Sequence, residues 1–150
     1  MKRAVFPGSF DPITLGHQDI INKGLKVFDE IIIGIGENSD KKYMFSTKKR
    51  FEFVSTTFDN IKKIDVKCYN GLTVDFCKEY DAQFIIRGLR NPADFEFEKR
   101  IALTNREMTG IETVFFLTDS KNSFISSSIV RDLIKNKGDY RLFIPKGLSI

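Results

Sequence analysis

Tryptophan is absent from this 150-residue chain, histidine occurs once and cysteine twice. One histidine with Cys68 and Cys77 offers no zinc-ligand spacing. Two cysteines make no disulfide framework, and a chain of this length can bury a core without one. Both read as free thiols in a reducing compartment. No apolar run approaches the roughly 20 residues that span a membrane. Nor does the N-terminus look like a secretory leader, since Phe6 is followed at once by Pro7-Gly8. The expectation is a cytoplasmic protein with no membrane partner. Charge is not massed either: the net +4 and pI near 9.0 come from scattered lysine pairs at 41–42, 48–49 and 62–63. That pattern lacks the continuous basic stripe with exposed aromatics of an RNA binder, and suits phosphorylated small molecules better. The 15 phenylalanines fall mostly at core spacing. No nucleic-acid partner is expected.

What is present is an alternation of short apolar runs with helical patterns. Ala4 to Phe6 reads as a strand ended by Pro7-Gly8. Gly16-His17 then opens a helix whose apolar positions Ile21, Leu25 and Phe28 recur at i, i+4 and i+7. Glu30 to Gly36 is a near-continuous apolar strand of the kind buried on both faces of a parallel sheet. Ser46 predicts a cap for a helix from Thr47 to about Phe58, with Phe51, Val54 and Phe58 inward. Ile64 to Tyr69 alternates as a strand near an edge, and Leu72 to Tyr80 is a short helix. Gln83 to Arg87 is a fourth strand, 93 to 108 a long helix, and Thr113 to Thr118 a fifth strand. Ser126-Ser127-Ser128 caps a helix reaching about Lys137 and stopped by Gly138, with a helical turn expected near Tyr140 to Phe143. No repeat or linker interrupts the series. The prediction is a single α/β domain, a doubly wound, Rossmann-like five-stranded parallel sheet spanning residues 1–150.

In such a sheet ligands bind beyond the carboxyl ends of the strands, and the chemistry-bearing residues all fall there. Ser9, Thr14, Gly16 and His17 form a loop and helix N-terminus of the type that binds anions through free amides. Lys41 follows the second strand. Arg87-Gly88-Leu89-Arg90 ends the fourth with two guanidiniums suited to phosphate. The alternative for them is ion pairing with Asp94 or Glu96. Ser126 to Ser128, with Arg131 in the first turn, follow the fifth strand. There a basic residue opposes the helix dipole unless a polyphosphate is near. Gly34-x-Gly36 comes after the second strand and is no dinucleotide fingerprint.

The string T-x-G-H at 14–17 resembles the H-x-G-H signature of the nucleotidyltransferase superfamily. Four segments resemble the phosphopantetheine adenylyltransferase family over nearly the whole chain: Pro7 to His17, Lys41 to Phe45, Arg87 to Glu98 and Ser123 to Arg131. The resemblance implies transfer of the adenylyl group of ATP to 4′-phosphopantetheine, giving dephospho-coenzyme A and pyrophosphate. It implies that ATP meets Ser9, Phe10, His17, Gly88, Leu89, Arg90, Glu98, Asn122, Ser123, Phe124, Ile125, Ser126, Ser127 and Ser128. It implies that the phosphopantetheine meets Ser9, Lys41, Thr73 and Arg87. It carries further expectations of Mg²⁺ with the ATP, no protein-held metal, a homohexamer and feedback by coenzyme A. Against that family's pattern, Ser9 replaces a common Thr, Phe97 a Tyr, Asn122 an aromatic and Thr73 a larger apolar residue. The rival readings are transfer to nicotinate mononucleotide or another phosphate, and a non-catalytic nucleotide- or RNA-binding module.

Overall fold

A computed structural model describes residues 1–150. Five strands, β1 (Arg3–Gly8), β2 (Glu30–Glu37), β3 (Ile64–Asn70), β4 (Phe84–Leu89) and β5 (Glu112–Leu117), form one parallel sheet in the order β3-β2-β1-β4-β5. Between and after them run α1 (Leu15–Gly24), α2 (Thr47–Phe58), α3 (Thr73–Glu79), α4 (Pro92–Thr109) and α5 (Ser127–Lys135), with short 3₁₀ turns at Ser120–Asn122 and Arg141–Phe143. The expected doubly wound fold is what forms. No helix is long and apolar enough to cross a membrane.

Strand alternation divides the core in two. Ala4, Phe6, Ile31, Ile33, Ile35 and Ile86 point to the face covered by α1 and α2, where Ile20, Ile21, Phe53, Val54 and Phe58 meet them. Val5, Ile32 and Ile85 point the other way, onto Val74, Phe76 and Cys77 of α3. β2 is buried from Ile31 to Ile35, as a run apolar on both faces requires. At Gly34 a Cβ would lie 2.7 Å from the Phe76 ring, so α3 packs there only because the side chain is missing.

Three local expectations are corrected. β1 does not stop at Phe6, because Pro7 and Gly8 still pair with Gly34 and Ile35 of β2. Pro7 is tolerated because the β1–β4 ladder is formed only at Ala4↔Phe84 and Val5↔Ile85, so its missing N–H costs no bond on that side. On α2 the inward residues are Arg50, Phe53, Val54 and Phe58, while Phe51 is 38 % exposed. α5 ends at Lys135, and the left-handed residue after it is Lys137, φ 58°, rather than Gly138. Gly138 instead donates its amide to Leu133 O at 2.7 Å.

β1 leads through α1 to β2 on one side, while β4 lies on β1's other side. The crevice this reversal opens at the carboxyl ends of β1 and β4 is where an open α/β sheet binds its ligand.

Candidate active site

Two clefts meet over that crevice. The first, about 360 Å³, is lined by Ser9, Gly36, Lys41, Tyr43, Tyr69, Thr73, Arg87, Glu98, Asn105 and Thr113 among others. The second, about 320 Å³, takes in Ser9, Phe10, Thr14, Gly16, His17, Gly88, Arg90, Glu98, Ile125, Ser126, Ser127 and Arg131. Pro7, Gly8, Ser9, Arg87 and Glu98 belong to both, so the end of β1 and an Arg–Glu pair form their common wall. Of the residues singled out in the sequence, Ser9, Lys41, Thr73 and Arg87 gather in the first cleft. Ser9, Phe10, His17, Gly88, Arg90, Glu98 and Ile125 to Ser127 gather in the second. Leu89, Asn122, Ser123, Phe124 and Ser128 line neither. Leu89 is paired with Leu117 in the sheet, and the Ser123 hydroxyl donates to Ser120 O at 2.9 Å. Phe124, 57 % exposed, packs edge-on against Phe143.

Thr14 and His17 form a reciprocal cap at the start of α1. Thr14 Oγ1 accepts the His17 amide at 3.4 Å, and His17 Nδ1 accepts the Thr14 amide at 3.0 Å. A capping box normally has Glu or Gln at this third position, and here the imidazole takes its place. Because Nδ1 accepts an N–H, the ring proton of neutral His17 resides on Nε2, and the ring can donate only from that side. Burial, and then the nearby charges of Arg87 and Arg90, push the His17 pKa down to about 4. His17 is therefore a neutral Nε2–H donor at pH 7, not a cation. Phe10 lies beneath it, ring centroids 4.9 Å apart and 1 % exposed, with φ at +51°. What Phe10 offers a ligand is its backbone, and neither its amide nor that of Ser9 donates to any group in the fold.

The depressed pKa has a direct consequence for stability. Between pH 6.5, the ordinary histidine value, and about 4, unfolded chains bind a proton at His17 that folded chains do not. Stability from this group therefore falls as pH drops through that window. Gln at the same position can keep the capping box and cannot titrate. Urea unfolding at pH 7.5 and pH 4.5 should show the wild type losing more stability than His17→Gln; parallel losses would contradict a depressed His17.

Arg87 uses three of its five N–H groups inside the fold. Nε and Nη2 grip Glu98 at 3.0 and 2.7 Å, and Nη1 reaches Pro7 O at 2.8 Å. Two N–H groups remain for a ligand. Its carboxylate partner is Glu98, not Asp94 or Glu96, for a helical reason: 94 and 98 share a face one turn apart, while exposed Glu96 points away. Arg90 takes Asp94 through its amide at 2.9 Å and Nε at 3.1 Å. Burial opposes ionisation of Asp94, but these bonds and the Arg90 charge outweigh it and hold the carboxyl below its ordinary range.

Gly88 is glycine for a packing reason. A Cβ there would lie 2.8 Å from Ile20 of α1. Gly16 differs: a Cβ would meet nothing in the fold closer than 3.5 Å, so the space it leaves opens into the second cleft. The three serines each have a structural task. Ser126 Oγ caps α5 by accepting the Ile129 amide, Ser127 Oγ donates to Pro12 O at 2.8 Å, and Ser128 Oγ accepts from Arg131 Nη2 at 3.1 Å. Arg131 lies one turn in, at the fifth residue of α5 rather than in its first turn, and Nη1 donates to Asp11 O at 3.0 Å. The Ser127 and Ser128 amides have no acceptor in the fold, and they point the positive end of α5 at the cleft.

Lys41 Nζ makes no hydrogen bond or ion pair, and Thr73 Oγ1 shares a 2.8 Å bond with the Tyr69 hydroxyl. No cluster of three His, Cys, Asp or Glu side chains could hold a metal. The three carboxylates of the second cleft are all taken: Asp11 by the Met44 and Phe45 amides, Asp94 by Arg90 and Glu98 by Arg87. Cys77 is buried, which pushes its thiol up to about 12, and Cys68 lies on the edge strand outside both clefts. The residues that were not legible as part of the site are Arg50 and Asp11. The one available signal was a charged residue at position 50, in line with Val54 and Phe58 on the inward stripe of α2.

The cytidylyltransferase-like family model matches residues 5–133. The chain is 57 % identical over 150 residues to a protein of Flavobacterium psychrophilum named phosphopantetheine adenylyltransferase, covering 100 % of this chain and 99 % of that one. It is equally similar, over the same shares, to the protein of that name from Flavobacterium johnsoniae. A solved structure from Vibrio parahaemolyticus, provisionally assigned as a nicotinate-nucleotide adenylyltransferase, superposes with a TM-score of 0.66 over 96 % of this chain and 94 % of its own. At 20 % identity that likeness shows the fold. The chain belongs to the cytidylyltransferase-like family and, within it, to the phosphopantetheine adenylyltransferases.

Proposed function

We propose that the second cleft takes ATP, that the first takes 4′-phosphopantetheine, and that the acceptor phosphate attacks the α-phosphorus across their common wall. The observation that carries this reading is the junction itself: two clefts sharing Ser9, Arg87 and Glu98 suit two phosphorylated substrates that must touch at one phosphorus atom. Pyrophosphate leaves, and the new phosphoanhydride is that of dephospho-coenzyme A. The attacking phosphate is already ionised at neutral pH, so the site needs no general base. It needs alignment and neutral or positive donors around the anionic oxygens.

The free amides of Ser9, Phe10, Ser127 and Ser128 suit the phosphates of ATP. His17 Nε2–H donates to an α-phosphate oxygen as charge builds there. Arg90 and Arg131 neutralise the departing pyrophosphate. On the acceptor side Lys41, whose Nζ has no partner within the fold, and the two spare N–H groups of Arg87 hold the phosphate of phosphopantetheine. Thr73 and Ser9 complete that grip.

Mg²⁺ enters as a partner of the triphosphate, whose charge it would share. With every carboxylate of the second cleft already bonded, the donor set there fits an ion delivered on the nucleotide rather than one held by side chains. A homohexamer and feedback by coenzyme A belong to the same reading. The apolar side chains left exposed on α4, Phe97 at 65 % and Met108 at 56 %, favour a covering partner.

Incubating the protein with ATP and either phosphopantetheine or nicotinate mononucleotide, and following pyrophosphate, tests the function. Release should require phosphopantetheine. Release with nicotinate mononucleotide alone, or with neither, would overturn the assignment.

A further inference from the structure

Arg50 is the largest fully buried side chain in the protein, 1 % exposed, and no carboxylate touches it. Its Nε donates to Phe45 O at 3.2 Å, Nη1 to Ser9 O at 2.8 Å and Gly36 O at 3.1 Å, and Nη2 to Thr47 Oγ1 at 3.2 Å. The guanidinium lies 3.9 Å from the centre of the Tyr43 ring. Every partner is neutral. A buried cation without a counter-ion is expensive, and an aliphatic residue would fill this point of the α2 stripe at less cost. Only a fork of several donors, however, can hold three carbonyls from three separate segments.

Those segments are the loop after β1, the end of β2 and the entry to α2. Asp11, 3 % exposed, grips the same entry from the other side by accepting the Met44 and Phe45 amides, each at 2.9 Å. A cation and an anion thus clamp Phe45 by its carbonyl and its amide. The clamp anchors the stretch 38–46, which carries Lys41 with its amide bonded to Asn38 O and its Nζ without a partner. Ser9 and Lys41 both line the first cleft, and Arg50 is bonded directly to Ser9 and to the base of the Lys41 segment.

We propose that Arg50 is a positioning residue for the acceptor: it fixes the separation between Ser9 and Lys41, and so sets the width of the phosphopantetheine cleft. This rests on the functional reading above. On the ATP side Arg50 holds only the Ser9–Phe10 peptide, one of several phosphate donors there, and the remaining walls of that cleft, from α1, the end of β4 and α5, make no bond to it. Loosening it therefore disturbs the acceptor more than the nucleotide.

The test is steady-state kinetics of the full chain carrying Arg50→Met, close in length and without the fork. KM for phosphopantetheine should rise about tenfold or more, with KM for ATP within about twofold. Arg50→Lys keeps the charge but not the fork, and should not restore the acceptor KM. Thr47→Val removes one partner of the fork and serves where Arg50→Met does not fold. It should raise the same KM about threefold with no change for ATP. A folded variant with a wild-type acceptor KM, an equal rise in both KM values, or full rescue by lysine would overturn the proposal. Wild-type protein measured alongside separates the two levels. An inactive wild type sinks the functional reading together with the proposal, whereas an active one with indifferent variants sinks the proposal alone.

Discussion

Replacing His17 with alanine should lower kcat by about 10²–10³, the scale of losing one donor aimed at developing negative charge. The same change removes half of the capping box on α1, at a cost to stability of about 1 kcal/mol. The two effects can be separated, because the box and the reaction use different nitrogens. Nδ1 accepts the Thr14 amide, and Nε2–H is left for the phosphate. Glutamate is the usual residue at this capping position, so His17→Glu should hold α1 as well as histidine does. Beside Arg87 and Arg90 its charge is also tolerated. It has no N–H to offer and repels a phosphate, so the variant should be folded and inactive. A His17→Glu protein with substantial turnover would mean that His17 serves the fold alone.

Arg87→Ala should have the second large effect, and it has two parts. Glu98 is 8 % exposed, and without Arg87 it becomes a buried anion with no cation, which costs on the order of 3 kcal/mol. The acceptor phosphate also loses up to two charge-assisted hydrogen bonds, so KM for phosphopantetheine should rise about 10- to 100-fold. KM for ATP should change less. Combining Arg87→Ala with Glu98→Gln removes the bare charge and should recover most of the stability while leaving the acceptor KM high. If the double variant also recovers the acceptor KM, Arg87 matters only as the counter-ion of Glu98.

Much of this site was legible because local chemistry announced it. The Ser46 cap and the apolar stripe placed α2 at its observed ends, and the strand-loop-helix at 4–17 marked the crevice before any contact was known. Where reading failed, the deciding partner was distant in sequence. Pro7 and Gly8 read as a stop, yet they remain in β1 because β2 pairs with them about 27 residues away. Phe51 read as inward with Val54 and Phe58, whereas the buried stripe of α2 runs through Arg50 and Phe53, because the partners that hold the Arg50 guanidinium lie in other segments. The serines at 126–128 read as hydroxyls and amides gathered at a helix N-terminus, but all three hydroxyls are bonded within the fold, that of Ser127 to Pro12, 115 residues earlier. What they leave for a ligand is backbone. The arginine pairing followed helix geometry that 94 and 98 satisfy and 96 does not, a rule readable in advance once α4 was accepted as a helix.

In the proposed reaction the adenylyl group passes directly between two adjoining clefts, with no covalent enzyme intermediate. The Ser126, Ser127 and Ser128 hydroxyls are bonded to structural partners, no base is bonded to the Ser9 hydroxyl, the thiols lie outside the clefts, and the bond from the Thr14 amide to Nδ1 leaves His17 a protonated Nε2 as its free nitrogen. Exchange of labelled pyrophosphate into ATP tests this most directly. Pure protein with ATP, Mg²⁺ and labelled pyrophosphate should show no exchange, and exchange should begin when dephospho-coenzyme A or phosphopantetheine is supplied. Exchange without either, at a rate comparable with turnover, would contradict the direct displacement and make His17 the nucleophile.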